Sequence, residues 1–272
     1  MKYFSIAFVT FFLMTVSSFA QPSSPKTPMN HKGKFYFYWG WNNAWFTNSN
    51  IRFKGADYDF TLHQVVAKDR QTKFNFDTYF NPATISIPQY NIRFGYYINR
   101  RYSISIGTDH MKYVAKNEQT VKISGAINNS NTEYDGKYAN QDIIVRPGFL
   151  VFEHTDGLNY VNSELRREDE LFLVFKKIRL NVTSGIGVGM LFPRTNTTLL
   201  GLKRYDEFHV AGFGFSSLVG LNLAFGKHFF IQSELKGGYI NMPDIRTTIS
   251  PLDRASQDFF FTQLNLLFGV NF

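Results

Sequence analysis

The segment FFFTQLNLLFGVNF, residues 259–272, decides the fold because its side chains alternate in character along its whole length. Successive side chains of a β-strand point to opposite faces of a sheet. One face of this segment is therefore apolar and the other is mostly polar. The apolar set is Phe260, Leu264, Leu266, Phe268, Val270 and Phe272, and the opposite set is Phe261, Gln263, Asn265, Gly269 and Asn271.

The same alternation recurs upstream and predicts eight strands in all. The upstream segments are residues 35–46, 90–98, 102–115, 158–175, 178–192, 211–225 and 229–240. Short turns at 99–101, 176–177 and 226–228 alternate with long connections at about 47–88, 116–157, 193–208 and 242–258.

This organisation predicts an all-β fold, an eight-stranded antiparallel transmembrane β-barrel with long outward loops. Short turns at one end, long loops at the other and an even strand number are typical of such barrels. A closed barrel also satisfies every backbone hydrogen bond inside lipid. Eight strands enclose an interior that side chains can just fill.

Composition supports a membrane protein and excludes several other classes. The chain has 30 Phe and 15 Tyr, yet its mean hydropathy is only −0.21, as expected if lipid-facing aromatics alternate with polar side chains. The net charge of +8 suggests contact with anionic surfaces such as lipopolysaccharide, and no basic run indicates nucleic acid. The absence of cysteine excludes disulfides, thiolate metal sites and a cysteine nucleophile.

The amino terminus predicts secretion. Lys2 precedes a short apolar run, and the small residues Ser18 and Ala20 lie at the two positions that a signal peptidase reads, with cleavage after about Ala20. We therefore expect a cleaved signal peptide at 1–20, a periplasmic lead-in at 21–33 and the barrel at 34–272.

The last strand, with its terminal aromatic Phe272, resembles the C-terminal signature of outer-membrane β-barrel proteins. The resemblance implies that the outer-membrane assembly machinery reads this strand as an assembly signal. The whole pattern is similar to the small monomeric barrels of the outer-membrane protein A and W type. This implies a monomer in the outer membrane of a Gram-negative cell, in contact with membrane lipid and lipopolysaccharide.

The inward faces of the predicted strands carry acids and bases in similar number. Buried charges persist only when they are paired. We therefore expect an ion-pair network that plugs the lumen, with a narrow gated channel as the alternative. The network comprises Arg93, Asp109, Glu164, Arg166, Glu170, Arg179, Glu234 and Lys236. Arg167 and Asp169 fall on the lipid side, which requires a nearby β-bulge or a position close to an interface.

The segment HTDGLN, residues 154–159, is a candidate catalytic site. Small barrel deacylases that act on lipid A carry a His, a Ser two residues later and a Glu fourteen residues after the His. Here the matching residues are His154, Asp156 and Glu168, so the serine nucleophile is absent. The competing interpretation is a loop-to-strand junction above the outer rim, paired with residues 119–124.

No cofactor or metal is expected. Ca²⁺ is the alternative, bound through Asp156, Asn159 and Glu164 or through Asp57 and Asp59. In the loops, residues 51–70 predict extra β-structure above the membrane, whereas the Asn- and Gly-rich stretch 123–142 predicts a mobile tip.

The function expected from these features is an outer-membrane scaffold whose outward loops bind surface glycolipid, extracellular polymer or protein. The pattern favours a protein that is not an enzyme. The alternatives are an acyl hydrolase of lipid A or phospholipid centred on His154, and a narrow gated channel.

Overall fold

A computed structural model describes residues 30–175 and 178–272. The expected signal peptide, residues 21–29 of the lead-in and the turn at 176–177 lie outside the described residues. No helix in the described ranges is both long and apolar enough to cross a membrane.

The described chain consists of β-strands and one short helix, α1 (Phe76–Phe80). Its strands are β1 (Phe35–Phe46), β2 (Ser49–Lys54), β3 (Tyr58–Val65), β4 (Ala67–Asp69), β5 (Tyr90–Tyr97), β6 (Tyr102–Asp109), β7 (Tyr113–Ala115), β8 (Gln119–Ile127), β9 (Gly136–Val145), β10 (Leu150–His154), β11 (Tyr160–Phe175), β12 (Ile178–Leu191), β13 (Asn196–Leu199), β14 (Gly212–Phe225), β15 (Phe229–Arg246) and β16 (Arg254–Asn271).

Eight of these strands form a closed antiparallel ring in the order β1-β5-β6-β11-β12-β14-β15-β16, and β16 pairs back with β1. The pairing around the ring is staggered. When the paired residues are followed from strand to strand, starting at Gly40 of β1, the path through β5 and β6 reaches Tyr160 of β11. The path in the opposite direction, through β16, β15, β14 and β12, reaches Glu170 of the same strand. Such a stagger tilts the strands and allows the sheet to close. The predicted eight-stranded antiparallel barrel is confirmed.

The outside of the ring is an apolar band bounded by aromatic side chains. At the end with the short turns, the ring of Phe35 packs 5.3 Å from Phe94 and 6.2 Å from Phe272. Towards the other end, Phe260 is 61% exposed and contacts Tyr239. From Phe260 to Phe272 the strand rises about 40 Å, or roughly 30 Å along the axis of a tilted barrel, which matches a bilayer.

Arg167 and Asp169 lie near the end of this band that carries the short turns, which we call the inner end. Arg167 is opposite Tyr102, the first residue of β6. Its guanidinium lies 2.6 Å from Asp169, and Arg101 of the neighbouring turn lies 3.6 Å from the same carboxylate. The bulge in β11 comes only after Glu170, so proximity to the interface explains these charges.

The long loops form a second body of structure over the opposite end of the barrel, which we call the cap. In one of its sheets, β2, β3, β8 and β9 continue outward from β16, and the other has the order β13-β10-β7-β4. Between them lies a core of buried apolar side chains that includes Ile51, Phe53, Phe60, Leu62, Phe149, Leu150 and Phe152.

The cap corrects two expectations from the sequence. The stretch 123–142 falls largely within the β8–β9 hairpin, because alternate residues such as Ile123 and Ile127 are buried in the cap core. Residues 119–124 pair with β9 and β3, whereas β10 pairs with β7 and β13. The proposed pairing of the His154 segment with 119–124 is therefore wrong.

Candidate functional site

Glu164 is the centre of a charged cluster inside the barrel. Its carboxylate oxygens lie 3.0 Å from Arg93, 2.6 Å from Arg166 and 2.6 Å from Lys236. All four residues are on inward-facing positions and are buried. A carboxylate in this position is surrounded by cations that replace the water it would otherwise bind.

Together with Glu164, two further carboxylates balance the charge of the three cations. Arg166 lies 2.9 Å from Glu234, and Lys236 also forms an ion pair with Asp109. The Tyr38 hydroxyl accepts hydrogen bonds from Arg93 at 2.9 Å and from Arg166 at 2.6 Å. The cluster is therefore neutral and extensively hydrogen-bonded, as a buried ionic network must be.

The remaining predicted lumen residues lie apart from this cluster. Arg179 and Glu170 form their own pair at 2.5 Å, and their side chains are 22% and 26% exposed. Glu168 accepts a hydrogen bond of 3.0 Å from Asn181. The eight predicted residues thus divide into a buried central group and a pair nearer the inner end.

Aromatic side chains fill the lumen on the inner side of the charged cluster. Tyr36, Tyr97 and Phe230 are buried there. A Cβ added at Gly95 would overlap the ring of Tyr36, and one added at Gly269 would overlap that of Phe230. Beside Arg166 and Glu168 the free volume is only about 20 Å³, the space of about one water molecule.

His154 lies inside the cap and is fully buried. Its Nδ1 is 2.9 Å from the Thr195 hydroxyl, and its Nε2 is 3.3 Å from the Gln257 amide nitrogen. The rings of Phe152 and Tyr113 pack beside it. Burial lowers the pKa of His154 to about 3, so the imidazole is neutral at physiological pH.

The structure does not bring the three catalytic candidates together. Asp156 lies on the surface, 3.6 Å from Arg194. Glu168 is on the barrel strand β11, about 25 Å along it from Tyr160 at an axial rise of about 3.3 Å per residue. His154 instead meets Thr195 and Gln257, two partners that lie far away in sequence and that no local pattern indicates.

The buried imidazole gives the cap a testable pH dependence. The ordinary pKa of a free histidine is about 6.5. Between that value and about 3, the unfolded chain binds a proton that the folded chain does not. We therefore expect the contribution of His154 to stability to be complete above about pH 6.5. It should fall by about 1.4 kcal/mol per pH unit below that.

This loss can be measured by urea unfolding at several pH values between 7 and 5, with hydrogen exchange of the β10 and β13 amides as the readout. His154→Gln is the control because its side chain does not titrate, and any acid sensitivity that it keeps belongs to other groups. Equal pH slopes for wild type and variant would contradict the assignment.

Several of the Ca²⁺ candidates have other partners. The Asp59 carboxylate is paired with Arg52 at 2.7 Å. Asn159 bonds the His110 ring at 2.8 Å, and Glu164 belongs to the lumen cluster. Within residues 30–175 and 178–272, no group of three or more His, Asp or Glu side chains is arranged to hold a metal ion.

The closed ring and its apolar exterior define the class of this protein as an eight-stranded, membrane-spanning β-barrel. No family model matches the chain, and no curated protein matches it.

Solved structures similar to the chain include bacterial outer-membrane proteins. Ail, the attachment invasion locus protein of Yersinia pestis, solved with the heparin analogue sucrose octasulfate, is 10% identical with a TM-score of 0.30. That match covers 89% of this chain and 99% of the other. The outer membrane protein OprG from Pseudomonas aeruginosa is 11% identical with a TM-score of 0.36, covering 89% and 96%. The N-terminal β-barrel domain of Pseudomonas aeruginosa OprF is 9% identical with a TM-score of 0.26, covering 84% and 99%. These likenesses concern the fold alone.

Proposed function

We propose that this protein is an outer-membrane scaffold that holds an ordered β-cap outside the cell, where the cap binds components of the cell surface or its surroundings. One observation carries the proposal: the lumen is filled, whereas the long loops are folded around a buried apolar core that continues into the outer ends of β15 and β16. Paired charges and aromatic rings occupy the interior of the barrel. This favours a role as a scaffold for the cap over a role as a channel for ions or solutes.

The direction of the barrel supports the extracellular position of the cap. Short turns face the periplasm in outer-membrane barrels, and long loops face outward. The cap is built from the long loops, at the end opposite Phe35 and Phe272. Its outer surface carries Arg52, Lys122 and Asp142 as exposed side chains, which suit polar contacts.

The lumen contacts favour binding over conduction. Glu164 and the three cations around it would all have to move before an ion could pass, and each is held by at least two partners. The hydrolase alternative gains no support from geometry, because His154 is buried and meets neither Asp156 nor Glu168.

Protein refolded into lipid nanodiscs tests the binding function. We expect wild-type discs to be retained on an array of surface glycolipids and polysaccharides, and empty discs to be washed away. We also expect vesicles that contain the protein to hold an entrapped ion gradient as long as empty vesicles do. Retention of no array component, or a steady ion leak, would contradict the proposal.

Incubating the same discs with lipid A and phospholipid provides a further check. We expect mass spectrometry to find no released acyl chain with either wild type or His154→Ala. Acyl release by wild type that the variant lacks would favour the hydrolase instead.

A further inference from the structure

A row of like charges crosses three neighbouring strands at the outer edge of the barrel and cap. Arg246 of β15 is directly opposite Arg254 of β16, and Arg254 is directly opposite Lys54 of β2. Directly opposed side chains on paired strands lie about 5 Å apart, and like charges at that distance repel. We call these three residues, together with Arg52 two positions before Lys54 on β2, the basic row.

The acids around the basic row neutralise it only in part. Asp59 forms a two-point contact with Arg52, through Nε at 2.8 Å and a terminal nitrogen at 2.7 Å. Asp244 lies 3.4 Å from Arg254 and also contacts His209 at 2.9 Å.

The other two cations of the row make no direct ion pair with an acid among the described residues. Lys54 makes no ion pair within 4 Å in the described part of the chain, and Asp59, the acid directly opposite it on β3, is bound by Arg52. The Arg246 guanidinium lies 4.9 Å from the ring centre of Tyr205, and its buried Nε has no hydrogen-bond partner among the described residues. Repulsion across the ladder is therefore only partly compensated by the described residues.

Three of the four members of the basic row, Arg52, Lys54 and Arg254, line a cleft of about 390 Å³. Its walls combine cations with a hydroxyl group and with apolar surface, and Leu252 is 64% exposed there. Volumes of this size are typical of small-ligand sites. The lining residues are Arg52, Lys54, Pro243, Leu252, Arg254, Ala255 and Ser256.

The cleft lies beyond the lipid band. On β16 the lipid-facing row ends at Phe260, and the same face then carries Asp258, Ser256 and Arg254. Arg254 is six positions before Phe260, which corresponds to about 20 Å along the strand. A ligand in the cleft is therefore at the level of head-group sugars or above, not of acyl chains.

We propose that this cleft binds a saccharide bearing phosphate or sulfate groups. The anionic groups would meet Lys54, Arg254 and Arg52, and the apolar face of a sugar ring would pack on Leu252 and Pro243. Charge-assisted hydrogen bonds from lysine and arginine to phosphate or sulfate are strong. This inference rests on the proposed binding function and names its ligand class and its site.

Dextran sulfate, with neutral dextran of the same length as its control, tests the charge requirement on nanodisc-embedded protein. We expect wild type to bind dextran sulfate and not dextran. The double variant Lys54→Gln/Arg254→Gln should bind at least about tenfold more weakly, because two charge-assisted contacts are lost. The matched control Lys122→Gln/Lys137→Gln removes the same charge from β8 and β9 of the same sheet, and its affinity should stay within about twofold of wild type.

A stability measurement separates a ligand site from a structural one. Because Asp59 is already held by Arg52, Lys54→Gln should leave the melting temperature within about 3 °C of wild type. A larger fall would identify Lys54 as a structural cation and overturn the proposal. So would unchanged affinity in the double variant, or equal binding of dextran and dextran sulfate.

Two further arms identify the source of the ligand. Discs that contain lipopolysaccharide should lose dextran sulfate binding if the phosphorylated sugars of that glycolipid occupy the cleft. Undiminished binding would point to a free anionic polysaccharide. If wild type binds array components but the double variant binds them equally well, the proposed function stands and only this site is wrong. If the barrel leaks ions and binds no array component, the proposed function itself is wrong.

Discussion

Replacing Glu164 by Gln should lower the free energy of unfolding by about 3–5 kcal/mol, as expected when one partner of a buried ionic network is removed. The substitution keeps the size of the side chain and so leaves no cavity. It leaves Arg93, Arg166 and Lys236 with only two carboxylates between them, all inside the barrel. Urea unfolding in phospholipid vesicles, followed by the gel mobility of the folded barrel, measures the effect.

Glu170→Gln is the matched control. It changes the same residue type on the same face of the same strand, but Glu170 is 26% exposed and has one ionic partner, Arg179. We expect a loss of less than about 1 kcal/mol, as for an ion pair that water reaches. If the two variants lose the same amount, the central cluster does not hold the barrel together.

Phe152→Ala should unfold the cap and leave the barrel closed. The ring is buried between Phe53 at 5.6 Å, Tyr113 at 6.4 Å and His154 at 5.1 Å, so its removal opens a cavity in the cap core. Losses of about 3–5 kcal/mol are usual for buried phenylalanine. Because Phe152 lies in the part of the core that the cap strands form, that loss should appear as exchange of the amides of β8 to β10 that is about a hundredfold faster or more.

The amides of β14 and β15 report on the barrel in the same experiment and should keep the protection of wild type. Phe208→Ala serves as the control because that ring is 48% exposed and stacks on the ring of Phe192, at 5.5 Å. We expect it to change cap exchange little. Equal acceleration in cap and barrel with Phe152→Ala would mean that the two unfold as one unit.

The two variants also bear on function. A barrel that stays closed while its cap unfolds would provide a negative control for every binding experiment on the cap. It would keep the membrane position, the Phe272 strand and the filled lumen, and lose only the surface proposed to bind.

The barrel could be predicted from the sequence because its determinants are local. The alternation in residues 259–272 and 35–46 follows from lipid on one side and lumen on the other, and needs no knowledge of any partner strand. The same parity placed Arg93, Glu164 and Lys236 on the inward face. Turn lengths then set the strand order, since neighbouring strands of the barrel are mostly neighbours in the chain.

The cap could not be predicted in the same way. Its pairings join segments far apart in sequence, such as β10 with β7 and β13, and its short strands offer several registers of similar apolar pattern. The stretch 123–142 shows the consequence: a polar composition typical of a loop hides a hairpin that is held by its buried alternate residues.

The sequence alone therefore determined a membrane barrel with charges inside, because alternate residues of each strand face lipid and lumen and differ in polarity accordingly. Only the tertiary structure decided which charges meet, that His154 is buried beside Thr195, and that Lys54, Arg254 and Arg246 stand in one row. The physical reason is that ion pairing, burial and repulsion depend on distances of a few ångströms between atoms. Those distances are set by the register of strands that the chain brings together from remote positions.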